Sequence, residues 1–226
     1  RDVDDLIPLT EPFDSKAFRD DGKNDSAAAI AQSLNLLIYS HVSSPVWSFY
    51  GLMGYEGMML FLGRDSRLAS YAGRRLLHNV RQKILMIAAL GARAVWIEEC
   101  LTDQISPDLF TRVNVPLLRE CVEMIRAHNM KSIYYYCGNP WDRMDAILDV
   151  GADAVHFEES KKNFTIDIED VVARVNKRCV VFGNLDAIGL LPDGSLDALR
   201  HEIRRQLNAA RKNGNRFVLS TGSPIT

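Results

Sequence analysis

A parallel α/β barrel of the (β/α)8, TIM-barrel type is the fold this sequence predicts, with about six of the eight strand-helix units present. Three observations carry it. Short apolar runs alternate with longer amphipathic stretches, the pattern of βαβ crossovers and a parallel sheet. Polar residues gather at the C-terminal ends of several runs: Ser40-His41, Glu98-Glu99, Tyr135-Tyr136-Cys137, Glu158-Glu159 and Asn184-Leu185-Asp186. A barrel builds its active site on that rim. An open doubly wound sheet is the alternative. It loses its main support because no Gly-x-Gly-x-x-Gly follows a strand and no phosphate-loop sequence occurs.

Residues 1–30 are polar and acidic. EPFDS, RDDGKND and Pro8 read as loop and cap chemistry, which sets the barrel domain at 31–226. Strands are predicted at 36–42, 94–99, 131–137, 153–158, 179–183 and 216–220, each rich in Val, Ile, Tyr or Phe. Residues 65–90 carry Leu68, Tyr71, Ala72, Leu76, Val80, Ile84 and Ala88 at helical spacing. Ser106-Pro107 opens a helix, with Ser as cap and Pro in the first turn. Helices at 141–150 and 195–213 each stop before a glycine, Gly151 and Gly214.

The chain has 226 residues, with 27 Lys and Arg against 29 Asp and Glu, a formal net charge of −2. That balance gives no global basic footprint for nucleic acid. No apolar run approaches the roughly 20 residues that span a bilayer. The four cysteines, Cys100, Cys121, Cys137 and Cys179, are widely spaced and form neither a disulfide framework nor a zinc ribbon. No basic-then-apolar leader is present. A reducing, cytoplasmic setting is the expectation.

Strand alternation sorts the rim side chains. Tyr135 shares a face with Cys137 and His156 with Glu158, while Glu99 lies with Ile97 and Val95, and Glu98 with Trp96. If Cys137 and Glu158 point inward, a thiolate, an imidazole and carboxylates converge, a set that can hold zinc. From spacing alone Cys137 reads first as a small buried hydrophobe, and His156 as a satisfied core histidine. His41, at a strand end, is a general base or a loop residue. Each glutamate pair sends one carboxylate inward and one outward. Two inward carboxylates suit acid-base work or a cation site, and the alternative is charge set against the next helix dipole. Lys161-Lys162 reads as a solvated cluster, as do His78, His128 and His201 on helix faces. One ring of Tyr134-Tyr135-Tyr136 faces the rim and can stack on a flat substrate or donate a phenolic proton.

The segment VVFGNLDAIGLLPDGSLDALRHEI (180–203) resembles the glycine-asparagine-leucine-aspartate segment of the uroporphyrinogen decarboxylase superfamily. The resemblance extends back through GADAVHFEES, IYYYCGN and GARAVWIEECLTDQISPDLFTRVNVPLLR, and forward to RFVLSTGSPI. It implies a (β/α)8 barrel. Relative to the superfamily, the chain is expected to lack an N-terminal portion with the first strands, and a last helix. Two activities follow from the resemblance: metal-free uroporphyrinogen decarboxylation in porphyrin biosynthesis, and methyl transfer involving a corrinoid protein, usually zinc-dependent.

Cys137-Gly138-Asn139 resembles the methyltransferase branch, where a histidine two residues earlier and a late cysteine complete the zinc site. Here those positions are Tyr135 and Ser223. Glu99 and Glu158 match positions commonly acidic in the superfamily, so Cys137, Glu99 and Glu158 are the expected metal ligands. Glu99, Tyr135, Glu158, His156 and His41 are the expected catalytic residues. Uroporphyrinogen carries eight carboxylates and calls for Arg and Lys, whereas this rim presents glutamates. The expectation is therefore a corrinoid-protein-dependent methyltransferase acting on a small methylated substrate such as a methyl ether or methylamine, with the cobalamin carried by the partner. The alternatives are uroporphyrinogen decarboxylase and a degenerate, non-catalytic barrel fragment. Two open sheet edges predict a homodimer or a swapped pair.

Overall fold

Six strands pair in the order in which the chain makes them. The computed structural model describes residues 11–22, 25–161 and 163–223. The strands are β1 (Tyr39–Ser43), β2 (Ala94–Glu99), β3 (Lys131–Tyr136), β4 (Ala154–Phe157), β5 (Val180–Phe182) and β6 (Phe217–Val218). Every neighbouring pair is parallel, and the spatial order is β1-β2-β3-β4-β5-β6. A doubly wound sheet reverses its strand order at a switch point. This sheet has no reversal, so the described residues form six consecutive strands of a TIM-barrel-type fold.

The helices are α1 (Ser15–Asp20), α2 (Asp25–Ser33), α3 (Ser48–Arg64), α4 (Ser66–Ala89), α5 (Pro107–Leu109), α6 (Val115–Ala127), α7 (Met144–Asp149), α8 (Ile168–Val175), α9 (Leu190–Asp193) and α10 (Leu196–Lys212). Several of their starts follow from capping chemistry. Asp65 accepts from Arg67 N–H and Leu68 N–H, Ser106 from Leu109 N–H, and Ser195 from Ala198 N–H. Gly151 and Gly214 take the positive φ that ends the preceding helices. None of the helices is long and apolar enough to cross a membrane, among the described residues.

Alternation along the strands creates two cores. Val95, Ile97, Tyr134, Tyr136, Val155, Phe157 and Val181 point outward and pack with the helices in one large cluster. Each of the Val, Ile and Phe side chains contributes roughly 1.5–3 kcal/mol by leaving water. Ala94, Ile133 and Ala154 point inward and form a small separate cluster, with Trp96, Val180 and Phe182 against it.

Three local differences from the sequence expectation have physical causes. The first strand starts at Tyr39 rather than 36, because a turn from α2 takes Leu36 N–H to Ala31 O and leaves Leu36 and Leu37 exposed. The N-terminal segment, read as loop, contains α1 and α2; Phe13 N–H donates to Gln82 of α4, and the expectations on residues 1–10 lie outside the described residues. The helix at 48–64 was not anticipated. Its glycines hide the period, and Gly54, at φ 72°, kinks it.

Among the described residues, β1 and β6 each pair on one side. Leu34, Leu36, Leu37 and Leu219 lie exposed near those edges. A cavity of about 600 Å3 lies toward the starts of the strands, lined by Leu37, Tyr39, Ala94, Ile133, Val180 and Val218 among others.

Candidate active site

The inner face of the sheet carries a layer of rings. Tyr39 stacks on Trp96 with centroids 6.0 Å apart, and Trp96 lies 4.8 Å from Tyr135 and 4.9 Å from His156. Tyr135 and His156 are 4.9 Å apart, and His156 and Phe182 are 5.6 Å apart. Above this layer, toward the C-terminal ends of the strands, a cavity of about 360 Å3 is lined by Tyr39, His41, Trp96, Glu98, Tyr135, His156 and residues 220–223.

Two expected catalytic side chains are committed to the backbone after β6. Tyr135 Oη–H donates to Gly222 O at 3.1 Å. His156 Nε2 lies 2.8 Å from Thr221 O. A carbonyl only accepts, so Nε2 carries the proton and the ring is a neutral tautomer. Burial pushes the His156 pKa down to about 4, against the hydrogen bond to Thr221. At neutral pH it stays uncharged and positions residues 221–222 across the barrel interior. Burial first, then the neighbouring Cys137 and Glu158, holds the Tyr135 phenol well above its ordinary pKa. His41 sits on β1, exposed, at the cavity edge.

The glutamate pairs divide in the opposite sense to the metal-site expectation. Glu98 shares the inner face with Trp96 and lines the cavity. Glu99 follows Val95 and Ile97 to the outer face and is fully buried. A turn of π-helix, Phe110–Asn114, precedes α6 and places Asn114, whose Nδ2 donates to Glu99 Oε2 at 2.9 Å. Burial, opposed by the Ser44 and Asn114 side chains, pushes the Glu99 pKa up to about 8. Glu99 therefore does not meet Cys137 at the rim.

Glu158 is tied on both oxygens. Oε1 pairs with Lys161 Nζ at 2.5 Å, and Oε2 accepts from Gly138 N–H at 2.9 Å. Lys161, expected in a solvated cluster, also donates to Ser223 Oγ at 2.8 Å; Lys162 lies outside the described residues. Gly138 is required here. Its φ is 105°, and a Cβ would fall 2.3 Å from the Asp103 side chain. Gly222 is held as tightly, since a Cβ there would meet Glu159 N at 2.2 Å.

The Asn-Leu-Asp segment after β5 is scaffolding for this rim. Asn184 Nδ2 donates to Glu158 O and Ile166 O, and Asp186 Oδ1 accepts from Ile188 N–H and Gly189 N–H. Cys137, half-buried, meets Cys100 with the sulfurs 2.9 Å apart. Among the described residues, no three His, Cys, Asp or Glu side chains are grouped so as to hold a metal ion. Sequence reasoning did not select Glu98, Trp96, Tyr39, Cys100 or Lys161. For the first two the signal was the phase of β2, whose Val95 and Ile97 mark the aliphatic, helix-facing side.

The family model for uroporphyrinogen decarboxylase (URO-D) matches residues 25–226. The chain belongs to this family. Among solved structures, a methyltransferase from Methanosarcina mazei superposes with TM-score 0.74 at 18% identity, covering 89% of this chain and 58% of that one. This chain thus spans somewhat over half the length of that methyltransferase. An AP endonuclease, family 2, from Brucella melitensis follows with TM-score 0.55 at 14% identity, over 89% of this chain and 78% of that one. A D-allulose 3-epimerase from Methylomonas sp. gives TM-score 0.54 at 10% identity, over 89% and 69%. At these identities the likeness shows the fold. No curated protein matches the chain.

Glu99 makes the URO-D chain's stability pH-dependent in a defined direction. Its folded pKa is raised above 4.5 to about 8, so between those values the native state holds a proton that the unfolded state releases. Stability therefore falls as pH rises from about 4.5 to about 8, by an amount on the order of 5 kcal/mol. Glu99→Gln removes the titrating proton and keeps an acceptor for Asn114. Thermal melts of wild type and Glu99→Gln at pH 5 and pH 8 check this: the variant's midpoint is expected to gain on wild type at pH 8 relative to pH 5. Parallel pH dependence in the two proteins would show that Glu99 does not carry the effect.

Proposed function

We propose that this URO-D family chain is the barrel of a methyltransferase that moves a methyl group from a small methylated substrate, a methyl ether or methylamine, to a partner corrinoid protein. The observation that supports it is the inner cavity. It is small, walled by Tyr39, Trp96 and Tyr135, carries the acid Glu98, and among the described residues is lined by no Arg or Lys. Such a wall suits methyl groups, and methylammonium in particular through the ring faces. An octa-anionic porphyrinogen would have to leave its carboxylates unpaired there, at high cost.

The resemblance also implies zinc. The expected set of Cys137, Glu99 and Glu158 does not fit it, since Glu99 faces the helices and Glu158 is held by Lys161 and Gly138. No step is assigned to a metal. The chain's own residues would act as follows. The aromatic layer excludes water and holds the methyl-bearing group. The methyl leaves without its bonding electron pair, which stays on the heteroatom; a methylammonium, already protonated, departs as the neutral amine, whereas the alkoxide left by a methyl ether takes up a proton. Glu98 and His41, which border the cavity, are the residues assigned to supply it to an ether oxygen. His156 and Tyr135 fix residues 221–222 as the cavity roof.

The protein is incubated with free cob(I)alamin and a panel of methyl ethers and methylamines, and methylcobalamin is followed by its absorbance. Methylation with at least one substrate is expected, with Glu98→Gln losing tenfold or more in kcat/KM at an unchanged melting profile. Coproporphyrinogen formed from uroporphyrinogen, with no methylcobalamin from any substrate, would replace this proposal with decarboxylation.

The cytoplasmic setting and the homodimer belong to the same proposal. The edges of β1 and β6, flanked by Leu36, Leu37 and Leu219, are the surfaces a second copy would cover. Light scattering is expected to give twice the 25.4 kDa chain mass. A monodisperse monomer at micromolar concentration would contradict the dimer.

A further inference from the structure

Cys100 and Cys137 stand at the ends of neighbouring parallel strands. The β2–β3 register pairs Glu98 with Tyr135 and Glu99 with Tyr136, and Cys137 N–H continues it by donating to Glu99 O at 2.9 Å. The next pair in that register is Cys100 opposite Cys137. Strands in a sheet lie about 4.8 Å apart, within the Cα separation of about 4.4–6.8 Å that a disulfide takes. Alternation turns both side chains to the inner face, and the two sulfurs lie 2.9 Å apart. Both residues are half-buried, so a small oxidant reaches them, whereas Cys121 and Cys179 are buried. Cys100 Sγ is also 3.9 Å from Glu98 Oε1, which puts the pair at the edge of the inner cavity.

The geometry points to an oxidative modification site at which hydrogen peroxide converts Cys100 and Cys137 into an intramolecular disulfide on the rim of the cavity. The thiolate of one cysteine attacks a peroxide oxygen. The O–O bond breaks, leaving a sulfenic acid and, after protonation, water. The second thiol attacks that sulfur, the S–O bond breaks, the S–S bond forms, and a second water leaves. The two thiols together lose two electrons and two protons, and the peroxide is reduced to two waters. The bond would join the loop that starts at Leu101, whose φ is 64°, to the one that starts at Gly138, and so tie together the two segments that follow β2 and β3. A dithiol reductant reverses it. In a reducing compartment such a bond is a transient, sensing one. This inference stands on the thiol geometry and does not depend on the methyl-transfer proposal.

The test treats the intact reduced protein with equimolar hydrogen peroxide and reads the whole-protein mass and the digested peptides. Loss of about 2 Da is expected, with a cross-linked peptide pair containing Cys100 and Cys137, two free thiols remaining, and full recovery with dithiothreitol. Cys121→Ser is expected to keep the loss, and Cys100→Ser to gain oxygen instead. Oxygen addition without a cross-link in the wild type, or a cross-link through Cys121 or Cys179, would overturn the assignment.

Discussion

The ring layer of Tyr39, Trp96, Tyr135, His156 and Phe182 is the contact on which the rest of the inner site depends. It spans five neighbouring strands, and each ring is there because strand pairing in register holds alternate side chains on one face. A slip of one residue in β2 would exchange Trp96 and Glu98 for Val95, Ile97 and Glu99. The aliphatic pair would face the cavity, and the two carboxylates would trade environments. The layer also sets the roof. Tyr135 and His156 can reach the carbonyls of Gly222 and Thr221 because their rings are packed against Trp96. Hydrogen bonding then completes what packing begins.

The four glutamates show how much a strand end can do with one residue type. Glu98 borders the cavity. Glu99 sits against Asn114 in the helix layer, where burial favours its protonated form near neutral pH. Glu158 is neutralised by Lys161 and fixed by a backbone N–H. Glu159, 2% exposed, has no hydrogen-bond partner on its carboxylate among the described residues, with Lys161 at 3.9 Å. The cavity thus keeps a single glutamate among its lining residues. That matches a site for a small neutral or cationic group better than one for a polyanion.

Much of the fold was legible in the sequence because strand-length runs such as 94–99 and 131–137 are separated by helices with clear caps. Ser106, Ser195, Gly151 and Gly214 act as their residue types suggest. The glycine-rich helix after β1 was not legible, since Gly54 interrupts the period that would announce it. For the site, the alternation itself was readable but its phase was not. Glutamates at a strand end look alike until the aliphatic face of the strand is assigned to the helices. The Lys161–Glu158 pair comes from loop geometry, to which no local pattern points, and the Cys100–Cys137 approach comes from the β2–β3 register, which the sequence does not fix. The expectation that Tyr135 and His156 belong to the inner face agrees with their placement. Their hydrogen bonds give them positioning roles that residue type could not reveal.

The claim most exposed to test is that the aromatic inner face, and Trp96 in particular, is where a small methylated ligand sits. Tryptophan fluorescence of wild type and Trp96→Phe, titrated with trimethylamine and challenged with uroporphyrinogen, measures this directly. A saturable change in the wild type, absent in Trp96→Phe and unaffected by the porphyrinogen, is the expected result. A change that survives Trp96→Phe, or a ligand displaced by uroporphyrinogen, would contradict it.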